Sequence, residues 1–129
     1  MARQSDLMVI TKAKELCGYI LTVTQKSPKQ FRFSLVSRLQ GYALDIVASL
    51  YRANEVYLSG PDMAAKARER LEHQHEALTS AKLLGYVAQL SMEQGAILPK
   101  QLEVIARLLL DTQNLCGAWI TSDRKRLPP

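Results

Sequence analysis

Aromatic residues are few in this chain of 129 residues, at 6% with a single Trp, and no RNP-like aromatic pattern marks a sequence-specific RNA reader. Cysteine is scarcer still. Cys17 and Cys116 both fall within helical apolar patterns, with no C-x-x-C pairing and no histidine near either in sequence, so thiol catalysis has no support. They lie on the first and last helices, which neighbour each other in a simple bundle, and the reading is two reduced structural thiols rather than a disulfide. The two histidines, His73 and His75, stand two apart and on a helix point roughly 200° away from each other, so they cannot share a metal or a proton. Clustered acids occur only as Glu69, Glu72 and Glu76. Glu72 and His75 give one Glu-x-x-His pair where a di-iron bundle needs two.

Glycine is not gathered into any phosphate loop. Gly18, Gly41, Gly85 and Gly117 each sit inside a helical pattern, where a small residue is expected to mark close helix–helix approach. No apolar run reaches the roughly 18 residues of a membrane span. The start of the chain lacks an apolar h-region, which together with reduced thiols predicts a cytoplasmic protein. No catalytic, metal-ligating or cofactor-binding residue is predicted, and the chain reads as a non-enzyme.

What is abundant is apolar helix surface. Hydrophobic residues make up 47% of the sequence, enough for one core and too short a chain for two. Helix 1 is predicted over residues 5–25, capped by Ser5 or Asp6, with Leu7, Ile10, Ala13, Cys17, Ile20 and Leu21 at helical spacing, widened by Leu16 and Val23. Ser27-Pro28 ends it. Helix 2 is predicted over 31–58, with Leu35, Leu39, Tyr42, Ile46, Leu50, Ala53 and Tyr57 inward and Val36, Ala43 and Val47 broadening the face. Ser59-Gly60-Pro61-Asp62 reads as a capping box opening helix 3, with Pro61 in the first turn. That helix runs to about residue 94, polar at first and apolar nearly all round from Ala77 to Leu90. Gly95 stops it and Pro99 opens helix 4, which runs to about residue 121 along Leu102, Ile105, Leu109, Thr112, Cys116 and Trp119, flanked by Leu108 and Leu110.

Short connections make these antiparallel neighbours, so the fold expected is an all-α, up-down four-helix bundle over residues 1–122, followed by an unfolded basic tail over 123–129. The excess apolar surface on helices 2, 3 and 4 predicts self-association, as a ring or a two-fold dimer.

Positive charge is the second surplus: Lys and Arg outnumber Asp and Glu 17 to 12. Lys26, Lys29, Arg32 and Arg38 gather at the helix 1–2 turn; Lys66, Arg68 and Arg70 load the start of helix 3; Arg124, Lys125 and Arg126 close the chain. In an up-down bundle these fall at two ends, an arrangement suited to backbone contacts with RNA or DNA without base readout. Arg38, Asp45 and Arg52 share one heptad-spaced stripe, either a solvated face or an electrostatic seam.

The stretch Ser27-Pro28-Lys29-Gln30-Phe31-Arg32-Phe33, then Leu35, Arg38, Leu39 and Leu50-Tyr51-Arg52-Ala53-Asn54, resembles the helix 1–2 junction and second helix of accessory variability determinant proteins of diversity-generating retroelements. Leu83-Leu84 and Gly117-Ala118-Trp119-Ile120 are similar too, and helix order agrees over nearly the whole chain. These proteins group with the four-helix proteins encoded in intervening sequences of bacterial 23S ribosomal RNA. The resemblance implies a barrel-like homopentamer without a catalytic site. It would bind a reverse transcriptase and nucleic acid through a basic surface and support mutagenic retrohoming. By the same resemblance Lys29 and Arg32 would contact polyanion or enzyme, and Arg38 and Arg52 would contact the same partners or form salt bridges. The alternative is the ribosomal intervening-sequence type, a structural or RNA-associated bundle.

Overall fold

Four helices alternate in direction in the computed structural model, which describes the backbone of residues 4–127 and the side chains from Met8 onward. The side chains of Ser5, Asp6 and Leu7, on which the predicted cap and core position rest, lie outside the described residues, as do Pro128 and Pro129; the helix itself already begins at Gln4. Helix α1 spans Gln4–Val23, α2 Ser37–Asn54, α3 Met63–Glu93 and α4 Pro99–Arg126. Two 3₁₀ turns, Thr24–Lys26 and Lys29–Phe31, and a π-helical turn, Arg32–Val36, join α1 to α2. Helix α1 packs on α2 and α4, and α3 on α2 and α4, which is the cyclic order of an up-down bundle. No strand occurs among the described residues.

Each helix buries one stripe because its apolar residues recur every three or four positions. On α3 the buried register is Arg70, Gln74, Ala77, Ala81, Leu84, Ala88 and Ser91; on α4 it is Ile105, Leu109, Thr112, Cys116, Trp119 and Asp123. Helix α1 adds Val9, Ala13, Leu16 and Ile20, and α2 adds Leu39, Ala43, Ile46 and Leu50, around a fully enclosed Trp119. Part of the predicted apolar surplus is absorbed here: Val36, Ala43, Val87 and Ala88 are core residues. Leu44 and Tyr51 on α2, Leu83 and Tyr86 on α3, and Leu110 on α4 stay exposed. Of the four helical glycines, only Gly85 stands at a close approach, where an added Cβ would lie 3.3 Å from Leu109 Cδ2. Gly18, Gly41 and Gly117 have open space there, contrary to expectation.

Four boundaries differ from the sequence prediction. Helix α2 begins at Ser37 rather than 31, because residues 32–36 wind as a π-helical turn. Helix α2 stops at Asn54 rather than 58, because Val56 and Leu58 are buried while Tyr57 between them is exposed, the period-two alternation of an extended segment. The capping box does not form. Gly60, at φ 81°, turns the chain so that α3 begins only at Met63, with Asp62 preceding it and making no side-chain cap; Pro61 therefore stands outside the helix. Lys66 Nζ instead donates to the Ser59 carbonyl, 3.1 Å away. The tail expected from residue 123 is helical through Arg126, because Asp123 continues the α4 core register and is paired there.

The other end of α3 follows the sequence reading. Gly95, at φ 86°, lets its own N–H reach the Met92 carbonyl and the Ala96 N–H reach that of Ser91, the Schellman pattern. Pro99 then takes the first position of α4, and the Gln101 side chain accepts the Leu98 N–H at 2.9 Å.

Candidate nucleic-acid and partner interface

The helix 1–2 turn is fixed by neutral hydrogen bonds that leave its cations free. Thr24 is buried at the end of α1; its hydroxyl donates to the Ile20 carbonyl at 2.6 Å and accepts from Gln40 Nε2 of α2 at 3.0 Å. Ser27, extended as a residue before proline must be, donates from Oγ to the Ala96 carbonyl at 2.6 Å. The α1–α2 turn and the α3–α4 connection are thereby tied at one end of the bundle. Lys26, Lys29, Arg32 and Arg38 are all exposed there. Lys29 and Arg32 face one recess of about 370 Å³ together with Gln25 and Gln40, while Lys26 borders a second of about 260 Å³ beside Gly95, Ile97 and Gln101. Among the described residues Arg38 reaches only the Tyr42 hydroxyl, at 3.4 Å.

Phe33 is a residue that sequence reasoning does not single out. It stands 89% exposed in the π-helical turn directly after Arg32, and such turns recur at functional sites. An aromatic ring in water beside two cations is able to stack on a base. The signal in the sequence is the Phe-Arg-Phe triplet, where two aromatics flank a charge three residues after a helix-breaking proline.

At the opposite end the basic residues do not form one class. Arg70 is buried: its Nε and Nη2 donate to the two Asp123 carboxylate oxygens at 2.9 and 2.8 Å, its Nη1 donates to the Val56 carbonyl at 3.0 Å, and its guanidinium lies 4.8 Å from the Trp119 ring. Gln74 Nε2 adds a bond to Asp123 at 3.0 Å. Arg70 is therefore a core residue and not a binding residue, since no ligand can reach it without opening α3 from α4. Lys66 is engaged with Ser59, and Arg126 is drawn toward Asp123 at 3.8 Å and the Leu58 carbonyl at 3.4 Å. Arg68, Arg124 and Lys125 remain exposed.

Arg52 lies on neither end. With Asp45 it borders an open groove of about 710 Å³ between α2 and α3, opposite Glu72, His75 and Glu76. Among the described residues neither Asp45 nor Arg52 makes an ion pair, so the heptad stripe is not a local salt-bridge ladder. His73 lies 3.4 Å from Glu76, while His75 faces the groove. No group of three or more His, Cys, Asp or Glu able to hold a metal occurs among the described residues. Both thiols are free and buried. Burial raises the Cys17 thiol and pushes Cys116 up to about 12, so neither is a thiolate near neutral pH. No described helix is long and apolar enough to cross a membrane.

Neither a protein-family model nor a curated protein sequence matches this chain.

Proposed function

We propose that this chain is a non-catalytic accessory bundle that binds a polyanion and a protein partner through the helix 1–2 turn, acting beside a reverse transcriptase as its resemblance to accessory variability determinants implies. The observation that carries the reading is the turn itself. Four cations are displayed on backbone that Thr24, Ser27 and Gln40 hold in place, and no carboxylate pairs with them among the described residues. Fixed positive groups of this kind contact phosphates with little ordering cost, and binding is driven by counterion release. The exposed Leu44, Tyr51, Leu83, Tyr86 and Leu110 support self-association, with the pentamer of the resembling family as the expected state.

The test is to mix the purified protein with a diversity-generating retroelement reverse transcriptase from the same genome and to measure the mass of the co-eluting species by light scattering, then to titrate RNA at rising salt. An oligomer bound to the enzyme, with RNA affinity falling steeply with salt, is the expected result. Salt-independent RNA binding would reject the phosphate role. RNA binding without the enzyme would favour the ribosomal intervening-sequence type.

A further inference from the structure

Phe33 is the most exposed large apolar side chain among the described residues, at 89% against 67% for Tyr86, the next. Leaving a ring of this size in water forgoes the stabilisation that its burial would bring. The same short segment does pack its other rings and branches. Phe31 is half-buried, and within the π-helical turn Val36 takes the core position while Phe33 takes the outer one.

The surface around that ring is polar and cationic. Gln30, three residues before it, and Ser37, four after it, are exposed together with Arg32 and Ser34. An aromatic anchor for a protein partner is normally ringed by contacts that exclude water, and here the neighbouring surface positions are all hydrophilic. Charge points the same way. Between Glu15 and Asp45 the chain has no acidic residue, while Lys26, Lys29, Arg32 and Arg38 all fall in that stretch. The recess of about 370 Å³ that Lys29 and Arg32 share is lined further by Gln25, Gln40 and Ser27 and by no carboxylate.

We infer that Phe33 is a stacking platform for one base of a single-stranded nucleic acid, with Lys29 and Arg32 holding the adjoining phosphates at the recess. A nucleotide joins its phosphate to its base through one sugar, and Arg32 and Phe33 stand on consecutive residues, about 3.8 Å apart at Cα. A cationic track with an aromatic face beside it is the way single strands are bound without base readout, since every base has a π-face. A duplex offers no free base face along its length. The inference rests on the polyanion reading above and adds to it the class of strand and the residue that selects it.

The experiment uses the full chain and three labelled probes: a single-stranded RNA, an abasic phosphodiester strand with the same number of phosphates, and an RNA duplex. Wild-type protein is expected to bind the base-bearing strand about tenfold more tightly than the abasic one, as one stacked base provides. Phe33→Leu removes the ring at a surface position where the fold is little affected. It should bring that ratio near one and leave abasic and duplex binding unaltered. Phe33→Trp should keep the preference, and its added indole emission should be quenched by the base-bearing strand but not by the abasic one. An unchanged base preference in Phe33→Leu, or equal quenching by both strands, overturns the platform while leaving phosphate binding intact. Absence of binding to all three probes overturns the polyanion reading and the platform with it. If Phe33→Leu instead lowers the mass of the oligomer or of its complex with the reverse transcriptase, and RNA binding is unaltered, the ring is a protein contact and the inference fails.

Discussion

The two ends of the bundle carry comparable basic clusters in the sequence and treat them in opposite ways. At the helix 1–2 turn, hydroxyls, an amide and carbonyls fix the backbone, and every cation is left in water. At the far end one carboxylate, Asp123, draws Arg70 into the core and Arg126 toward it, while the Ser59 carbonyl holds Lys66. A cluster of cations is thus available for a partner only where no internal acceptor competes for it. A single Asp decides which cations of the far end are scaffold, while Arg68, Arg124 and Lys125, which it does not engage, stay in water.

Removing that Asp gives the largest expected effect. Asp123→Ala leaves the Arg70 guanidinium buried without its counter-ion and should destabilise the fold by about 3–5 kcal/mol, read from denaturant unfolding. The paired replacement Arg70→Met with Asp123→Leu should recover most of that loss, because an apolar pair of similar volume needs no desolvation. A double mutant as unstable as Asp123→Ala would show that the other Arg70 contacts dominate. Lys29→Glu with Arg32→Glu makes the opposite test. Stability should stay within about 0.5 kcal/mol of wild type, while RNA affinity falls about tenfold or more and the salt slope drops by about two. Wild-type binding by that variant would remove the turn from the interface.

Ser27→Ala should cost about 1 kcal/mol by freeing the Ala96 carbonyl and loosening the turn. Its RNA affinity should drop less than in the charge reversal, because the cations themselves remain. A last effect appears only at high pH, outside the range where the others are read. The Cys116 thiol, ordinarily near 9.0, holds its proton up to about 12 in the folded chain because burial penalises the thiolate. Between those values the folded state binds more protons than the unfolded one, so stability falls as pH rises through the window. Cys116→Ala should show a shallower alkaline decline than wild type in unfolding followed from pH 8 to 12, and equal slopes would assign the decline to other groups.

Much of this architecture is legible in the sequence. The apolar spacing gives four helices in their correct phases, and Pro28, Gly95 and Pro99 mark three boundaries because each restricts the backbone locally. The missed features are those decided by contacts between distant segments. Residues 56–58 continue a helical pattern on paper, yet Val56 and Leu58 find the core from an extended chain. Arg70 reads as surface because its neighbours Arg68, Glu69 and Glu72 are polar, and Asp123 reads as tail because basic residues and prolines follow it. Their partnership spans 53 positions and no local rule reports it. A signal was present nonetheless. Arg70 and Gln74 extend the α3 core register at spacings of three and four, and Asp123 extends that of α4 beyond Trp119. Opposite charges in core register on neighbouring antiparallel helices predict a buried pair. For the candidate site, the cluster Lys26, Lys29, Arg32 and Arg38 was visible from composition, whereas its rigidity depends on Gln40 and Ala96, residues with no signature of their own.

The buried pair also sets how α3 and α4 are aligned. Several buried positions of α3, Ala77, Ala81 and Ala88, carry only a methyl group, and such small side chains do little to fix the register of a neighbouring helix. A slip of one turn moves Asp123 by about 5.4 Å along the axis, beyond the reach of a bidentate guanidinium, and leaves two lone charges in a dry interior. The pair therefore serves the chain as a ruler, with one mark on each helix.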